Sequence, residues 1–196
     1  MNKKIQHVLL TRPQGRNNIL AAELNKQNIS SSELPMLQIA LADDMEKITE
    51  AKQQLTGVIA PLADSVYKLD ASFDYALFSS ANAVLAAGNF CQAYNVGWNK
   101  DLPCLGMGGA TLDAINQFGW KVVLPDGSIG RKESLTSEKM MDTTWALSVE
   151  GKRILLVNGE DGRGLLAERL RENGALVEVV TLYRREPVKY SEADWN

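Results

Sequence analysis

Three short stretches of the chain combine hydroxyls, acids and glycines at spacings that can hold a ligand. In Phe78-Ser79-Ser80-Ala81-Asn82-Ala83-Val84, two hydroxyls follow an apolar run and stand immediately before a helical pattern. Such a junction turns backbone N–H groups and the positive end of the helix dipole outward, which suits a carboxylate or phosphate without any basic side chain. A plain helix cap at Ser80 explains the same residues. Gly106-Met107-Gly108-Gly109-Ala110-Thr111 is glycine-rich after another apolar run, so it either lets a ligand approach the backbone or forms a purely structural turn. Thr111 stands where a dinucleotide fingerprint requires its last glycine, and no Gly-Lys-Ser/Thr follows, which disfavours NAD and ATP. The third stretch, Asn158-Gly159-Glu160-Asp161-Gly162-Arg163-Gly164, carries two acids whose spacing matches no metal loop, so no metal is expected. Tyr183 ends a further apolar run, where a phenol can donate a proton or hydrogen bond to a ligand, or simply pack. Arg12 and Arg16 follow the first apolar run and either border the same cleft or lie in solvent.

The elements that must position these groups alternate in type. His7-Val8-Leu9-Leu10-Thr11 reads as a strand, Arg12-Pro13-Gln14-Gly15 as a turn, and Ile19, Leu20, Ala21 and Leu24 as one face of a helix. A polar break at Asn28 to Ser32 leads to an extended segment, Glu33 to Ile39. The pattern recurs at Arg153 to Val157 and Leu165 to Leu170, with Leu9, Leu10, Leu20, Ala21 and Leu24 matching Leu155, Leu156, Leu166, Ala167 and Leu170 without a gap. Gly174 then ends the helix and Leu176 to Leu182 forms a strand, so a β-α-β unit occurs twice. Between the copies lie the strands Tyr75 to Phe78 and Cys104 to Met107, each before a helix. A short strand, Val122 to Pro125, and a helix from about Ser134 to Met141 follow. Alternating strands and helices predict an α/β fold with a doubly wound parallel sheet covered on both faces. All three turns then fall at the carboxyl edge, where open α/β sheets bind ligands.

Composition narrows the class of partner. The chain has 196 residues, 45% of them hydrophobic and 23% charged, which is the profile of a globular protein of one or two domains. A net charge of −3 gives no basic field for nucleic acid, so any anion must be held locally. Cys91, Cys104 and the lone His7 offer neither a zinc site nor a disulfide framework and read as free thiols and a single imidazole. Val8-Leu9-Leu10 is too short for a signal-peptide core, and no apolar stretch reaches membrane-spanning length, so a cytoplasmic location is expected.

Taken in order and spacing, Leu10-Thr11-Arg12-Pro13, Leu34-Pro35-Met36-Leu37, Phe78 to Val84, Asn158 to Arg163 and Leu182-Tyr183-Arg184-Arg185 resemble uroporphyrinogen-III synthase, from about Val8 to Pro187. The resemblance implies two flavodoxin-like domains joined by a two-stranded connector. On that pattern residues 1–38 are the start of a first domain, 39–44 a linker strand, 45–180 a complete second domain and 181–190 the returning linker. Residues 191–196 would open the C-terminal part of the first domain, whose further strand and helix pairs have no counterpart here. The implied substrate is hydroxymethylbilane, a linear tetrapyrrole with eight carboxylates, closed with inversion of its last ring and loss of water in haem biosynthesis. No cofactor is implied; the chain is expected to be a monomer, with hydroxymethylbilane synthase as a functional contact. By position in the motifs, Ser80 and Thr111 inherit ligand contact and Tyr183 assists departure of the hydroxyl. With the turns around them, the expected binding set is Arg12, Ser79, Ser80, Ala81, Asn82, Gly108, Gly109, Thr111, Gly159 and Gly162. Gly108-Gly109-Ala110-Thr111 departs from the family's usual Gly-Pro-Ala-Thr. The alternatives are a shortened homologue that binds a tetrapyrrole without turnover, and a flavin or nucleotide binder that shares only the fold.

Overall fold

The structure, a computed structural model, describes residues 6–41, 43–56, 67–68, 70, 72–125, 137–160, 162 and 164–191. In chain order its elements are β1 (His7–Leu10), α1 (Asn18–Lys26), β2 (Ser30–Glu33), β3 (Leu37–Leu41), α2 (Met45–Thr56), β4 (Tyr67–Lys68), β5 (Tyr75–Phe78) and α3 (Ala81–Ala93). They continue with β6 (Val96–Gly97), β7 (Cys104–Gly106), α4 (Gly109–Gln117), α5 (Ser137–Met141), α6 (Thr144–Leu147), β8 (Arg153–Gly159), α7 (Leu165–Glu172) and β9 (Leu176–Pro187). The chain divides into two compact units, residues 1–40 with 185–196, and residues 41–184.

In the larger unit the strands run β9-β8-β5-β7 across the sheet, and the pairs β9-β8, β8-β5 and β5-β7 are all parallel. Val122 extends the sheet past β7 through one parallel bridge to Cys104. The chain runs from β5 outward to β7 and then returns to β8 on the other side of β5. This reversal creates a crevice between β5 and β8 at their carboxyl ends.

Alternation assigns the strand residues to two faces. Leu77, Leu105, Ile154 and Leu156 pack with Met140, Trp145, Leu166 and Leu170 from α5 to α7. Ala76, Phe78, Cys104, Leu155 and Val157 are also fully buried and point the other way. There Phe78 stacks on Trp120 with centroids 5.7 Å apart, and Trp120 stacks on Trp98 at 4.1 Å and Phe118 at 4.9 Å. Coverage of both faces explains why β5 and β8 read as continuous apolar runs.

The smaller unit repeats the strand-helix-strand pattern, with β1 and β2 parallel and His7 opposite Ser30. The α1 helix buries none of its residues, and Leu9, Ile19 and Leu20 are exposed.

Several sequence expectations change. The polar break at Asn28 to Ser32 contains most of β2, because parallel pairing to β1 and bonds from His7 to Ser30 Oγ (2.7 Å) and Ser32 Oγ (3.1 Å) make a strand from serines. Val122 to Pro125 contributes a single bridge rather than a strand. The strand begun at Leu176 continues to Pro187. Of the helix expected from about Ser134 to Met141, Ser137–Met141 is helical; residues 134–136 lie outside the described residues, as do Asp161, Arg163 and the segment 192–196. Sequence reading missed α2, β4, β6 and α6.

Candidate functional site

The candidate site is built on four parallel strand ends. Phe78 is level with both Val157 and Gly106, and Gly159 is level with Tyr183, so the three predicted turns and the tyrosine share one edge. Ser79 ties the central strands there, its N–H donating to Val157 O at 3.2 Å.

Ser80 is the N-cap of α3, extended at φ −164°, with its Oγ accepting from Ala83 N–H at 3.2 Å. Serine suits this place because its hydroxyl satisfies one of the N–H groups that a helix start leaves unpaired. Ser80 Oγ also lies 3.1 Å from Tyr183 Oη. That contact is long-range in the sheet: Tyr183 stands on β9, Ser80 follows β5, and β8 lies between them.

Two backbone features make the crossing feasible. The β8-β9 register shifts between Asn158 and Gly159, so that Asn158 faces Thr181 while Gly159 faces Tyr183, with Leu182 skipped. Gly159 also leaves room for the phenol, since a Cβ there would meet Tyr183 Cζ at 2.6 Å. The ring therefore lies over the glycine, buried to 4% exposure.

The turn after β8 is held by its own polar groups. Gly162 N–H donates to Gly159 O at 2.9 Å, and the hydroxyl of the exposed Thr181 donates to Asn158 Oδ1 at 3.0 Å. A Cβ on Gly162 would sit 2.5 Å from Asn158 Nδ2, so this glycine admits the asparagine that braces the turn.

After β7, Gly108 caps α4 without a side-chain bond, and Gly109 begins the helix. Thr111 is buried and packs back on Gly106, whose added Cβ would meet Thr111 Cγ2 at 2.8 Å. Ala81 is buried at the start of α3, and Asn82 beside it is partly exposed. Arg12 is exposed in the β1-α1 loop of the smaller unit, its carbonyl accepting from Asn17 Nδ2 at 3.3 Å. That unit has a separate cavity of about 600 Å³ beside Pro13, Glu33, Gln38 and Tyr190.

Sequence reasoning missed the charges around Tyr183. Lys47, Glu160, Thr181, Tyr183 and Arg184 line a cavity of about 290 Å³ in the larger unit. Lys47 Nζ donates to Glu160 Oε1 at 2.7 Å, and this bond holds the lysine above its ordinary range. Arg184 forks onto both carboxylate oxygens of Asp43, which lowers the Asp43 carboxyl. No spacing could have paired residues 113 or 141 positions apart. Among the described residues there is no group of three or more His, Cys, Asp or Glu placed to hold a metal. Cys91 and Cys104 are buried away from this edge, and burial pushes both thiols up to about 12. No helix among the described residues is long and apolar enough to cross a membrane.

Comparison with known proteins converges on one family. A family model described as Uroporphyrinogen-III synthase HemD matches residues 55–195. The chain is 28% identical to the uroporphyrinogen-III synthase of Proteus mirabilis, over 93% of its own length and 82% of the relative's. It is 27% identical to that of Synechococcus elongatus, over 90% of its length but 59% of the relative's. Among solved structures, a mutant uroporphyrinogen III synthase of Thermus thermophilus superposes with a TM-score of 0.55 at 14% identity. It is covered over 64% of its length by 93% of this chain, a likeness that concerns the fold.

Proposed function

The chain belongs to the uroporphyrinogen-III synthase family, and from that premise we propose that it closes hydroxymethylbilane with inversion of the last pyrrole ring. The observation that carries this reading is the 3.1 Å contact between Tyr183 and Ser80 at the β5-β8 switch point. It sets a proton donor at the edge where a doubly wound sheet receives its ligand. Ser79, Ser80, Ala81 and Asn82 at the start of α3, Gly108, Gly109 and Thr111 at the start of α4, and Gly159 and Gly162 after β8 form the substrate edge. Arg12, on the smaller unit, is proposed separately as a substrate contact.

In the proposed reaction the pyrrole nitrogen pushes its electron pair toward the hydroxymethyl carbon, and the C–O bond breaks. Tyr183 gives its phenolic proton to the departing oxygen, which leaves as water. Ser80 Oγ–H, by donating to Tyr183 Oη, would support the phenolate left behind. The resulting protonated azafulvene, an azafulvenium cation, is attacked by the substituted carbon of the last ring, and the spiro intermediate reopens and closes inverted. The proton lost at closure returns to Tyr183. Uninverted closure is the spontaneous competitor, so most of the protein's contribution is the folded geometry imposed on the bilane.

The reading is tested by supplying hydroxymethylbilane to the full chain, oxidising the product and separating the porphyrin isomers. Type III product is expected; type I alone would refute the activity. Tyr183→Phe should lower kcat by about 10- to 100-fold, toward the low end of general-acid effects because the pyrrole already activates the leaving group.

A further inference from the structure

Tyr183 is flanked in space by two charged residues, and both are tied to the beginning of α2. Glu160 N–H donates to Tyr183 O at 3.0 Å, while the Glu160 carboxylate accepts from Lys47 Nζ at 2.7 Å. Arg184, next along β9, donates to Asp43 Oδ1 at 2.9 Å and Oδ2 at 3.0 Å. The α2 helix is itself anchored to the unit's core through Ile48, Ala51 and Leu55, all buried. The charged contacts therefore tie α2, through Lys47, and the residue just before it, Asp43, to the stretch of β9 and the adjoining turn that present the phenol.

The phenol stands at an irregular point within β9. The register shift at Gly159 interrupts the regular β8-β9 ladder just where Tyr183 must reach across to Ser80. At such a shift the strand bends and its local twist increases, so the direction of the phenol is set by what else holds it. One ion pair would leave it able to pivot about that contact. Two contacts, one on β9 itself and one on the turn bonded to it, remove the pivot, and the fork at Asp43 fixes direction as well as distance.

We propose that Asp43–Arg184 and Lys47–Glu160 form a two-point brace that holds Tyr183 in register with Ser80, so that these four are positioning residues for the reaction. The inference rests on the proposed role of Tyr183. Lys47, Glu160 and Asp43 are solvent-exposed and Arg184 is partly so, with side-chain exposures of 51% and 40% for Lys47 and Glu160, so each pair is weak alone and open to screening by salt.

The test uses Lys47→Gln and Asp43→Asn in the full chain, since neither alters Tyr183, Ser80 or the residues whose amides are followed. Each variant should lower kcat about three- to fivefold, and the pair about tenfold, with KM unchanged. Lys47→Arg should restore the rate. In a Tyr183→Phe background the losses should vanish, because a brace that acts through the phenol has nothing left to hold. Exchange of the Glu160 amide, followed by NMR, should quicken about three- to fivefold in Lys47→Gln. Unchanged kcat, or equal losses with and without the phenol, would overturn the brace. If the wild-type chain forms no type III product, the functional reading fails. The Glu160 amide then decides the brace by itself, and unaltered exchange in Lys47→Gln sinks it.

Discussion

Gly159 and Tyr183 stand opposite one another in the β8-β9 pairing, and the absence of a side chain on one is what lets the other lie flat. Substituting Gly159 by alanine places a methyl group 2.6 Å from Tyr183 Cζ and 2.7 Å from Cε2. Two atoms of a rigid ring cannot both yield, so the phenol must swing away from Ser80. Gly159→Ala is expected to cost about 1–3 kcal/mol, as overpacking of a close-packed site does. It should also depress turnover as much as Tyr183→Phe does. Urea denaturation read beside the isomer assay checks both; wild-type stability would mean that the ring does not rest on this glycine. The same geometry separates Gly159 from Gly162, whose missing Cβ makes room for Asn158 rather than for the reactive phenol.

At the scale of elements, β8 carries the site at one end and its anchorage at the other. Arg153 begins the strand, bonded to Asp70 Oδ2 at 2.7 Å, to Glu178 Oε2 at 3.0 Å and to Ser72 Oγ, with its guanidinium 4.5 Å from the Phe73 ring centre. Its backbone N–H donates to Asp74 Oδ2 at 2.8 Å, and that bond chiefly holds the Asp74 carboxyl below its ordinary 3.8. Asp70 is lowered first by the Ser72 backbone N–H, then by the Ser72 hydroxyl, with Arg153 contributing further. Carboxylates depressed in the folded state add stability that is complete above their unfolded pKa and is lost as pH falls through the folded values. The denaturation midpoint should therefore hold from pH 7 to about 5 and drop below about pH 4. Asp74→Ala should cost about 1 kcal/mol at pH 7, because it removes a charge-assisted bond that is partly exposed to water. It should also flatten the acid slope. Equal slopes in the wild type and the variant would show that other groups govern acid unfolding.

For the whole molecule, the two units differ in how much apolar surface they remove from water. The larger places Leu77, Leu105, Leu155, Ile154 and Phe78 at or near zero exposure, whereas α1 in the smaller buries nothing and Ile19 is 88% exposed. Local opening is cheap where few apolar contacts are lost. Hydrogen exchange should accordingly be about a hundredfold or more faster in α1 than in β5 and β8 at pH 7. Equal protection would mean that the face carrying Leu9, Ile19 and Leu20 is covered in solution.

The strand and helix alternation was legible because β5, β7 and β8 are buried on both faces, and burial of that kind forces continuous apolar runs bounded by glycines and serines. The hydroxyl at Ser80 was legible as a cap for an equally local reason. By contrast, Leu9, Leu20 and Leu24 match Leu155, Leu166 and Leu170 in the repeat, yet Leu9 is 51% exposed while Leu155 is 0% exposed. Pattern records which surface an element offers, and only the fold decides what covers it. A run of serines became β2 because a neighbouring strand supplied its hydrogen bonds. By itself, then, the sequence determined the fold class, the three strand-end turns and the family, since each depends on local spacing. Tertiary structure alone decided that Tyr183 meets Ser80 across Gly159 and that Asp43 and Lys47 pair with Arg184 and Glu160 beside it, because a register shift and contacts between distant residues leave no trace in local pattern.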